Sequence, residues 1–162
     1  DEQLSLLEGN LMETNQTIVD IYSRYLFETE VIDTRADHAM SVDELKDAML
    51  RAQEASYGDG LDPEIRHPYM WACKSHYYSS GYNFYNFPYA FGELFAKGVF
   101  AQYLQKGAAF LPDYCRLLRS CGSGTIADVA ASVGIDVRNP DFWRSSLEVV
   151  KGNIDKFCEL VK

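Results

Sequence analysis

The chain has 162 residues, a formal net charge of −9 and a hydrophobic content of 47%, which predict a single well-packed globular domain. The acidic balance argues against nucleic-acid partners, because non-specific binding needs cationic side chains that displace counterions from phosphates. No apolar run approaches the roughly 18 residues of a membrane span, and no segment resembles a signal peptide. We therefore expect no membrane partner and a cytoplasmic location. The four cysteines lack C-x-x-C spacing and are expected to be reduced, buried thiols.

The first third of the chain carries helical signals. Apolar residues recur at helical spacing over residues 2–36, which predicts one long helix. A second helix is predicted to start at the capping box formed by Ser41 and Glu44 and to end near Tyr57. The glycines and the proline of residues 58–63 then predict a loop.

Further along, prolines and glycines mark where helices begin and end. Pro68 predicts the start of a short helix through Trp71 and Cys73. A strongly apolar helix is predicted from Pro88 to Lys106, ended by glycine, and its small residues would let neighbouring backbones approach closely. Since this helix is hydrophobic on most sides, we expect it to be central.

The C-terminal part continues the helical pattern. Two shorter helices are predicted over residues 112–120 and 125–133, each followed by a glycine. Asn139 as N-cap and Pro140 in the first turn predict a last helix that continues to about Leu160. No alternating run predicts a strand, so the expected fold class is all-α.

The chain's own residues predict neither a metal site nor a nucleophile. None of the three histidines stands in H-E-x-x-H, the pattern that places two ligands and a base on one helix face. No serine stands in a G-x-S-x-G turn. Cys73 precedes His76 by three residues, and we interpret that pair as a core thiol beside a polar histidine rather than a catalytic dyad.

The segment from Ser75 to Gly92 is the richest in functional groups, with one histidine, five tyrosines, three phenylalanines and two asparagines. Each tyrosine alone has a plain explanation as half-buried packing. Together these phenols and the imidazole need hydrogen-bonding partners once buried, and a polar substrate would supply them. The segment therefore predicts the wall of a polar, aromatic cleft, whose candidate residues are His76, Tyr77, Tyr78, Tyr82, Tyr85 and Tyr89.

Two runs within and beside this segment resemble a known family. KSHYY (residues 74–78) and FYNFPYAFG (residues 84–92) are similar to the C-terminal part of the oligoendopeptidase F family, relatives of thimet oligopeptidase and peptidyl-dipeptidase. The resemblance extends over nearly the whole chain, through DIYSRYLFE, YGDGLD, HPYMW, GIDV and DFWRSSL in matching order.

The resemblance implies a zinc metallopeptidase that cuts short peptides in a channel between helical lobes. It implies that this chain is a multi-helix bundle forming the C-terminal part of a zincin-type catalytic domain. The family's zinc ligands, two histidines of H-E-x-x-H and a later glutamate, precede the matched region, so zinc would belong to the parent enzyme and not to this chain. We therefore expect a fragment that is inactive alone. Its expected partners are an oligopeptide substrate, the missing N-terminal part, and a second copy that packs on an exposed apolar face.

The resemblance also implies roles for individual residues. His76 would bind substrate or donate to the oxyanion, and Tyr85 and Tyr89, on the clearest motif match, would be catalytic donors, with Tyr89 favoured. Tyr82 would bind substrate. An alternative is a non-catalytic helical module that grips peptides by its aromatic wall. A sugar-binding platform is a further alternative, which predicts flat exposed rings and no need for His76.

Overall fold

The computed structural model describes residues 2–162, and all regular elements in that range are helical, which confirms the all-α prediction. The α-helices are α1 (Glu2–Asn15), α2 (Ile21–Thr34), α3 (Val42–Tyr57), α4 (Phe87–Lys106), α5 (Leu111–Ser120), α6 (Ile126–Ala131) and α7 (Pro140–Leu160). The chain divides into two compact units, here named the aromatic unit (residues 12–91) and the terminal unit (residues 2–11 and 92–162). The single-domain expectation stays a prediction.

The predicted long helix over residues 2–36 is interrupted, and the interruption lies in the aromatic unit. Residues Gln16–Asp20 form a π-helical turn between α1 and α2, and α2 ends at Thr34. A π-helical turn closes its hydrogen bonds one residue later than an α-helix does, so it shifts the face on which the following side chains lie. Apolar periodicity does not predict such a turn.

Helix α3 begins at the predicted capping box. The Ser41 hydroxyl accepts a hydrogen bond from the Glu44 amide at 3.3 Å, and the Glu44 carboxylate accepts one from the Ser41 amide at 2.7 Å. The Ser41 amide, together with His38 and the Ser41 hydroxyl, lowers the pKa of Glu44 to about 2. The helix packs on α2 through a small apolar core of Phe27, Ala48, Met49 and Ala52.

Residues 58–86 contain only short 3-10 turns as regular structure. The predicted short helix after Pro68 is a 3-10 turn over Met70–Cys73, followed by another over Ser75–Tyr78. Buried Gln53 ties this region to α3, since its side-chain amide donates to the His67 carbonyl at 2.9 Å and accepts from the His67 amide at 3.1 Å.

In the terminal unit, helices begin and end near the capping residues and glycines that the sequence predicted. Thr125 caps α6 by accepting from the Asp128 amide, and Asn139 caps α7 by accepting from the Asp141 amide. The glycines that follow α4, α5 and α6 have positive φ angles, of 59° for Gly107, 80° for Gly122 and 77° for Gly134. The core of this unit consists of Val99, Phe110, Leu117, Ala130, Val133, Ile135 and Phe142.

Helix α4 approaches α7 closely at Gly98. A Cβ atom at this position would lie 2.5 Å from the Phe142 ring and 2.7 Å from the Ser146 hydroxyl. Both neighbours are buried, so neither can move aside freely. The expectation that small residues of this helix permit close packing is met at Gly98.

We expect Gly98→Ala to destabilise the chain by about 1–3 kcal/mol, because the new methyl group overpacks the contact between α4 and α7. The matched control is Gly152→Ala in α7, where a Cβ meets nothing within 4 Å. That change is expected to stabilise the helix by about 0.5–1 kcal/mol. Urea unfolding of both variants measures the difference, and equal stabilities would contradict the packing account.

The other side of α4 does not behave as a central helix. Phe100, Tyr103 and Leu104 are exposed, although Gly98, Val99 and Ala101 are buried. Apolar side chains of α4 and α5, with Phe110 and Cys121, line a groove of about 590 Å³, here named the apolar groove: Phe95, Ala96, Val99, Phe100, Tyr103, Phe110, Leu111, Tyr114, Leu117, Leu118 and Cys121.

The expectation of buried cysteines is wrong. Cys73, Cys115, Cys121 and Cys158 are free thiols, and all four are exposed. Spacing between cysteines carries no information on which face of a helix or turn holds each one, and these side chains lie on outward faces. No helix within residues 2–162 combines the length and apolar character needed to cross a membrane.

Candidate functional site

Four predicted site residues lie together in the aromatic unit. His76 stacks on Tyr85 with ring centroids 5.6 Å apart, and it meets Tyr89 edge-on at 6.3 Å. Tyr82 packs against Tyr85 at 4.7 Å, and Tyr85 meets Tyr89 at 6.4 Å. We name His76, Tyr82, Tyr85 and Tyr89 the aromatic cluster.

The tyrosines of the aromatic cluster are accessible. Tyr82, Tyr85 and Tyr89 are 50%, 43% and 48% exposed, whereas His76 is partly buried between the rings. Side chains that only filled a core would be buried. The rings pack on one another and leave a large part of their surface to the solvent, as a wall that contacts a ligand would require.

The remaining two candidate tyrosines lie elsewhere in the unit. Tyr77 packs edge-on against Phe27 at 5.3 Å, and its hydroxyl donates to the Arg24 carbonyl at 3.4 Å. Burial raises the pKa of Tyr77, so its phenol remains a donor. Tyr78 is exposed and donates to the Trp71 carbonyl at 3.4 Å. The structure thus places Tyr77 in the packing of the unit and outside the aromatic cluster.

Three buried charged residues, Asp20, Arg24 and Glu28, were not among the predicted site residues; we name them the charged ladder. Two of them contact the segment from Ser75 to Gly92, here named the aromatic segment. Asp20 ends the π-helical turn, and Arg24 and Glu28 follow at intervals of four residues in α2, which also buries Phe27. Arg24 forms an ion pair with Asp20. The sequence does carry a signal, because these charges fall on a helix face otherwise chosen for burial, and a charge there needs a partner.

The charged ladder holds the aromatic segment in place. The Glu28 carboxylate accepts a hydrogen bond from the Phe84 amide at 2.7 Å, and Arg24 donates to the side-chain oxygen of buried Asn86 at 3.3 Å. Phe84 has a φ angle of 55°, a left-handed conformation that costs a bulky residue on the order of 1–3 kcal/mol. The bond to Glu28 stabilises this turn, which sets the direction of the chain between Tyr82 and Tyr85.

Asp20 is well supplied with donors. Besides Arg24, the Gln16 side-chain amide donates to its carboxylate, and the Tyr57 hydroxyl donates at 3.3 Å. Burial, with the nearby charge of Asp20, raises the pKa of Tyr57 to about 12. The Asp20 charge is therefore compensated within the unit by three side chains.

A small cavity adjoins the aromatic cluster. It has a volume of about 160 Å³ and is lined by Gln16, Thr17, Ile21, Arg24, His76 and Tyr89. Two nitrogen atoms of its lining residues, Arg24 Nε and His76 Nδ1, are buried and have no hydrogen-bond partner within the described range 2–162. We name it the donor cavity.

Metal-binding groups are not assembled in the part of the chain described. Residues 2–162 bring together no group of three or more histidine, cysteine, aspartate or glutamate side chains that could hold a metal ion. The residues present therefore do not fit the zinc that the family resemblance implies. The Cys73 thiol donates to the Met70 carbonyl at 3.2 Å, and the His76 ring stacks on Tyr85.

Comparison with known proteins gives one distant relative. The chain is similar to "Oligopeptidase PepF" of Bacillus subtilis (strain 168), with 26% identity over 105 residues. The matched segment is 65% of this chain but only 15% of that protein, so the chain corresponds to a small part of its relative. No family model and no solved structure matches the chain. The likeness supports the oligoendopeptidase family at most, and hints at a peptidase-related function.

Proposed function

We propose that this chain is the C-terminal part of the catalytic domain of a zinc-dependent oligoendopeptidase, and that its aromatic cluster binds the peptide substrate. One observation carries the proposal: the four residues selected as site residues from the sequence form one accessible cluster beside a cavity. The likeness to Oligopeptidase PepF supports the same assignment.

The proposed chemistry of the cluster follows from what peptide hydrolysis requires. When a peptide carbonyl is attacked, its oxygen gains negative charge, and donors placed near that oxygen stabilise the transition state more than the ground state. Phenol hydroxyls and an imidazole N–H are such donors. We assign this role to Tyr89, Tyr85 and His76, whereas Tyr82 contacts the bound peptide.

Zinc enters this proposal only through the rest of the parent enzyme. The described residues hold no ligand set for it, so no step at the metal is assigned to this chain. This chain supplies hydrogen-bond donors and a binding wall, and we propose that it is inactive alone.

A non-catalytic peptide-binding module is the second candidate. The observation that favours it is that residues 2–162 assemble the aromatic cluster but no group of side chains that could hold a metal ion. In that case His76 and the tyrosines would bind a peptide without cleaving it.

The apolar groove provides a surface for the proposed partners. Leu111, Leu118 and Phe100 each leave about half of their surface exposed along it. Contiguous apolar surface of this kind is typical of an interaction face. We propose that the remainder of the parent enzyme covers it, and that a second copy covers it when this chain is alone.

The proposal is tested with two preparations, the 162-residue chain and the product of the complete gene. We expect only the complete product to contain zinc and to cleave fluorogenic oligopeptides, because only it would carry the metal ligands. We also expect sedimentation to show self-association of the shorter chain, with dye binding to its apolar surface.

Two results would contradict the proposal. A complete product without H-E-x-x-H and without cleavage would leave the peptide-binding module as the function. A dilute, monomeric short chain that binds no dye would remove the role given to the apolar groove.

A further inference from the structure

The polar side chains that line the donor cavity are mostly hydrogen-bond donors. Four of its polar lining side chains, Gln16, Thr17, His76 and Tyr89, can donate a hydrogen bond, and Arg24 carries the only formal charge among the lining residues. Among the described residues that line the cavity, none is an aspartate or a glutamate. A ligand that accepts several hydrogen bonds and carries a negative charge would match this lining.

Two nitrogen atoms of the lining residues have no hydrogen-bond partner among residues 2–162. Arg24 is 8% exposed, and its Nε atom is buried without a hydrogen bond, as is Nδ1 of His76. A buried donor that stays unpaired costs about 1–3 kcal/mol, and more when the group is charged. Arg24 Nε always carries a hydrogen, so it is the strongest indication of where an acceptor atom of a ligand belongs.

The contacts of Arg24 indicate that a ligand of its Nε atom would bind in the donor cavity. Its two terminal nitrogens are engaged by Asp20 and Asn86, which hold the guanidinium plane in place and leave Nε. Arg24 also borders a cleft with Met49, Met70 and Tyr77, but that cleft has no room for even a water-sized ligand. The charge of Asp20 is already met by Gln16 and Tyr57 as well as by Arg24, which limits its repulsion of an anion.

From this geometry we propose that the donor cavity is a subsite for a carboxylate of the peptide, held by Arg24 Nε and the Thr17 hydroxyl, with the His76 and Tyr89 rings forming the adjoining wall. The inference rests on the proposed function, since it names which feature of a peptide the site recognises. The carboxylate can come from the peptide's C-terminus or from an acidic side chain, which share the same two acceptor oxygens.

The first test uses three short peptides that differ only in charge at one end: a free C-terminus, a C-terminal amide, and a C-terminal amide that ends in aspartate. Isothermal titration calorimetry with the complete gene product measures their Kd values. Because charge-assisted hydrogen bonds contribute about 1.5–3 kcal/mol, we expect the amide to bind about 10- to 100-fold more weakly than the free acid. Recovery with the aspartate peptide identifies a side-chain carboxylate as the source, and no recovery identifies the C-terminus. Equal Kd values for all three peptides overturn the proposal.

Variants then locate the effect in the cavity. Arg24→Lys keeps a positive charge beside Asp20 but removes Nε, so the ratio of amide to acid Kd should fall to below about threefold. Thr17→Val removes one donor without leaving a buried charge, and should lower the ratio about 3- to 10-fold even if the arginine variant does not fold. Thr29→Val is the matched control. The Thr29 hydroxyl donates to the Tyr25 carbonyl in α2 and does not line the donor cavity, so this variant should leave the ratio unchanged. A ratio that changes equally in Thr17→Val and Thr29→Val overturns the proposal.

A small probe separates this inference from the peptidase proposal. N-acetylglycine and N-acetylglycinamide carry a single peptide unit and differ only in the carboxylate. We expect N-acetylglycine alone to shift the imidazole resonances of His76 in NMR titrations, whether or not any peptide is cleaved. Cleavage without this shift would reject the subsite and keep the peptidase, and the shift without cleavage would do the reverse.

Discussion

Replacing Tyr89 by phenylalanine in the complete gene product is expected to lower kcat for peptide cleavage by about 100- to 1,000-fold. The substitution removes a single hydroxyl, which in the proposed role donates to the oxygen that becomes negative in the transition state. Tyr89 meets the rings of His76 and Tyr85 edge-on, and about half of its surface is exposed, so phenylalanine preserves the packing. The effect should therefore fall on kcat more than on the stability of the protein.

Two comparisons make this experiment decisive. Tyr22→Phe removes a hydroxyl from another exposed tyrosine, on α2 and outside both the aromatic cluster and the apolar groove, and should leave kcat unchanged. Tyr85→Phe tests the neighbouring ring of the aromatic cluster, and whichever of the two cluster variants loses more marks the principal donor. A loss below about threefold in both would exclude the tyrosines as transition-state donors, given the size of such effects elsewhere.

Removing the carboxylate of Asp20 is expected to destabilise the chain by about 3–5 kcal/mol, because Asp20→Ala leaves the Arg24 charge buried and without its ion-pair partner. Asp20 is 2% exposed and also accepts hydrogen bonds from Gln16 and Tyr57, which lose their acceptor as well. Urea unfolding followed by circular dichroism measures the change, and tyrosine fluorescence reports the state of the aromatic cluster.

A surface pair provides the control for this loss. Lys151 and Asp155 lie 3.9 Å apart on α7 with both side chains largely exposed. Asp155→Ala should change the free energy of unfolding by less than about 1 kcal/mol, as is usual for exposed pairs. If Asp20→Ala lowers the free energy of unfolding no more than Asp155→Ala does, the charged ladder does not stabilise the aromatic unit as its contacts indicate.

Local signals in the sequence were sufficient to predict where most helices begin and end. The capping box at Ser41 and the N-cap at Asn139 start helices as predicted, and the glycines after α4, α5 and α6 end them. These signals act over a few residues through backbone hydrogen bonds and φ angles, so they can be read without knowing the tertiary contacts. The π-helical turn at residues 16–20 was not predictable in this way, because apolar spacing does not distinguish it from an α-helical turn.

The sequence by itself determined the helical class and selected His76, Tyr82, Tyr85 and Tyr89 as site residues. Only the tertiary structure decided that these four rings meet, and that Tyr77 packs against the core of the unit instead. The reason is physical. The turn at Phe84 depends on Glu28, which lies 56 residues earlier in the chain. The same holds for the burial of the Asp20–Arg24 pair, for the donor cavity and for the exposure of the four cysteines. Each depends on which surfaces of the folded chain meet, and no local pattern of residues contains that information.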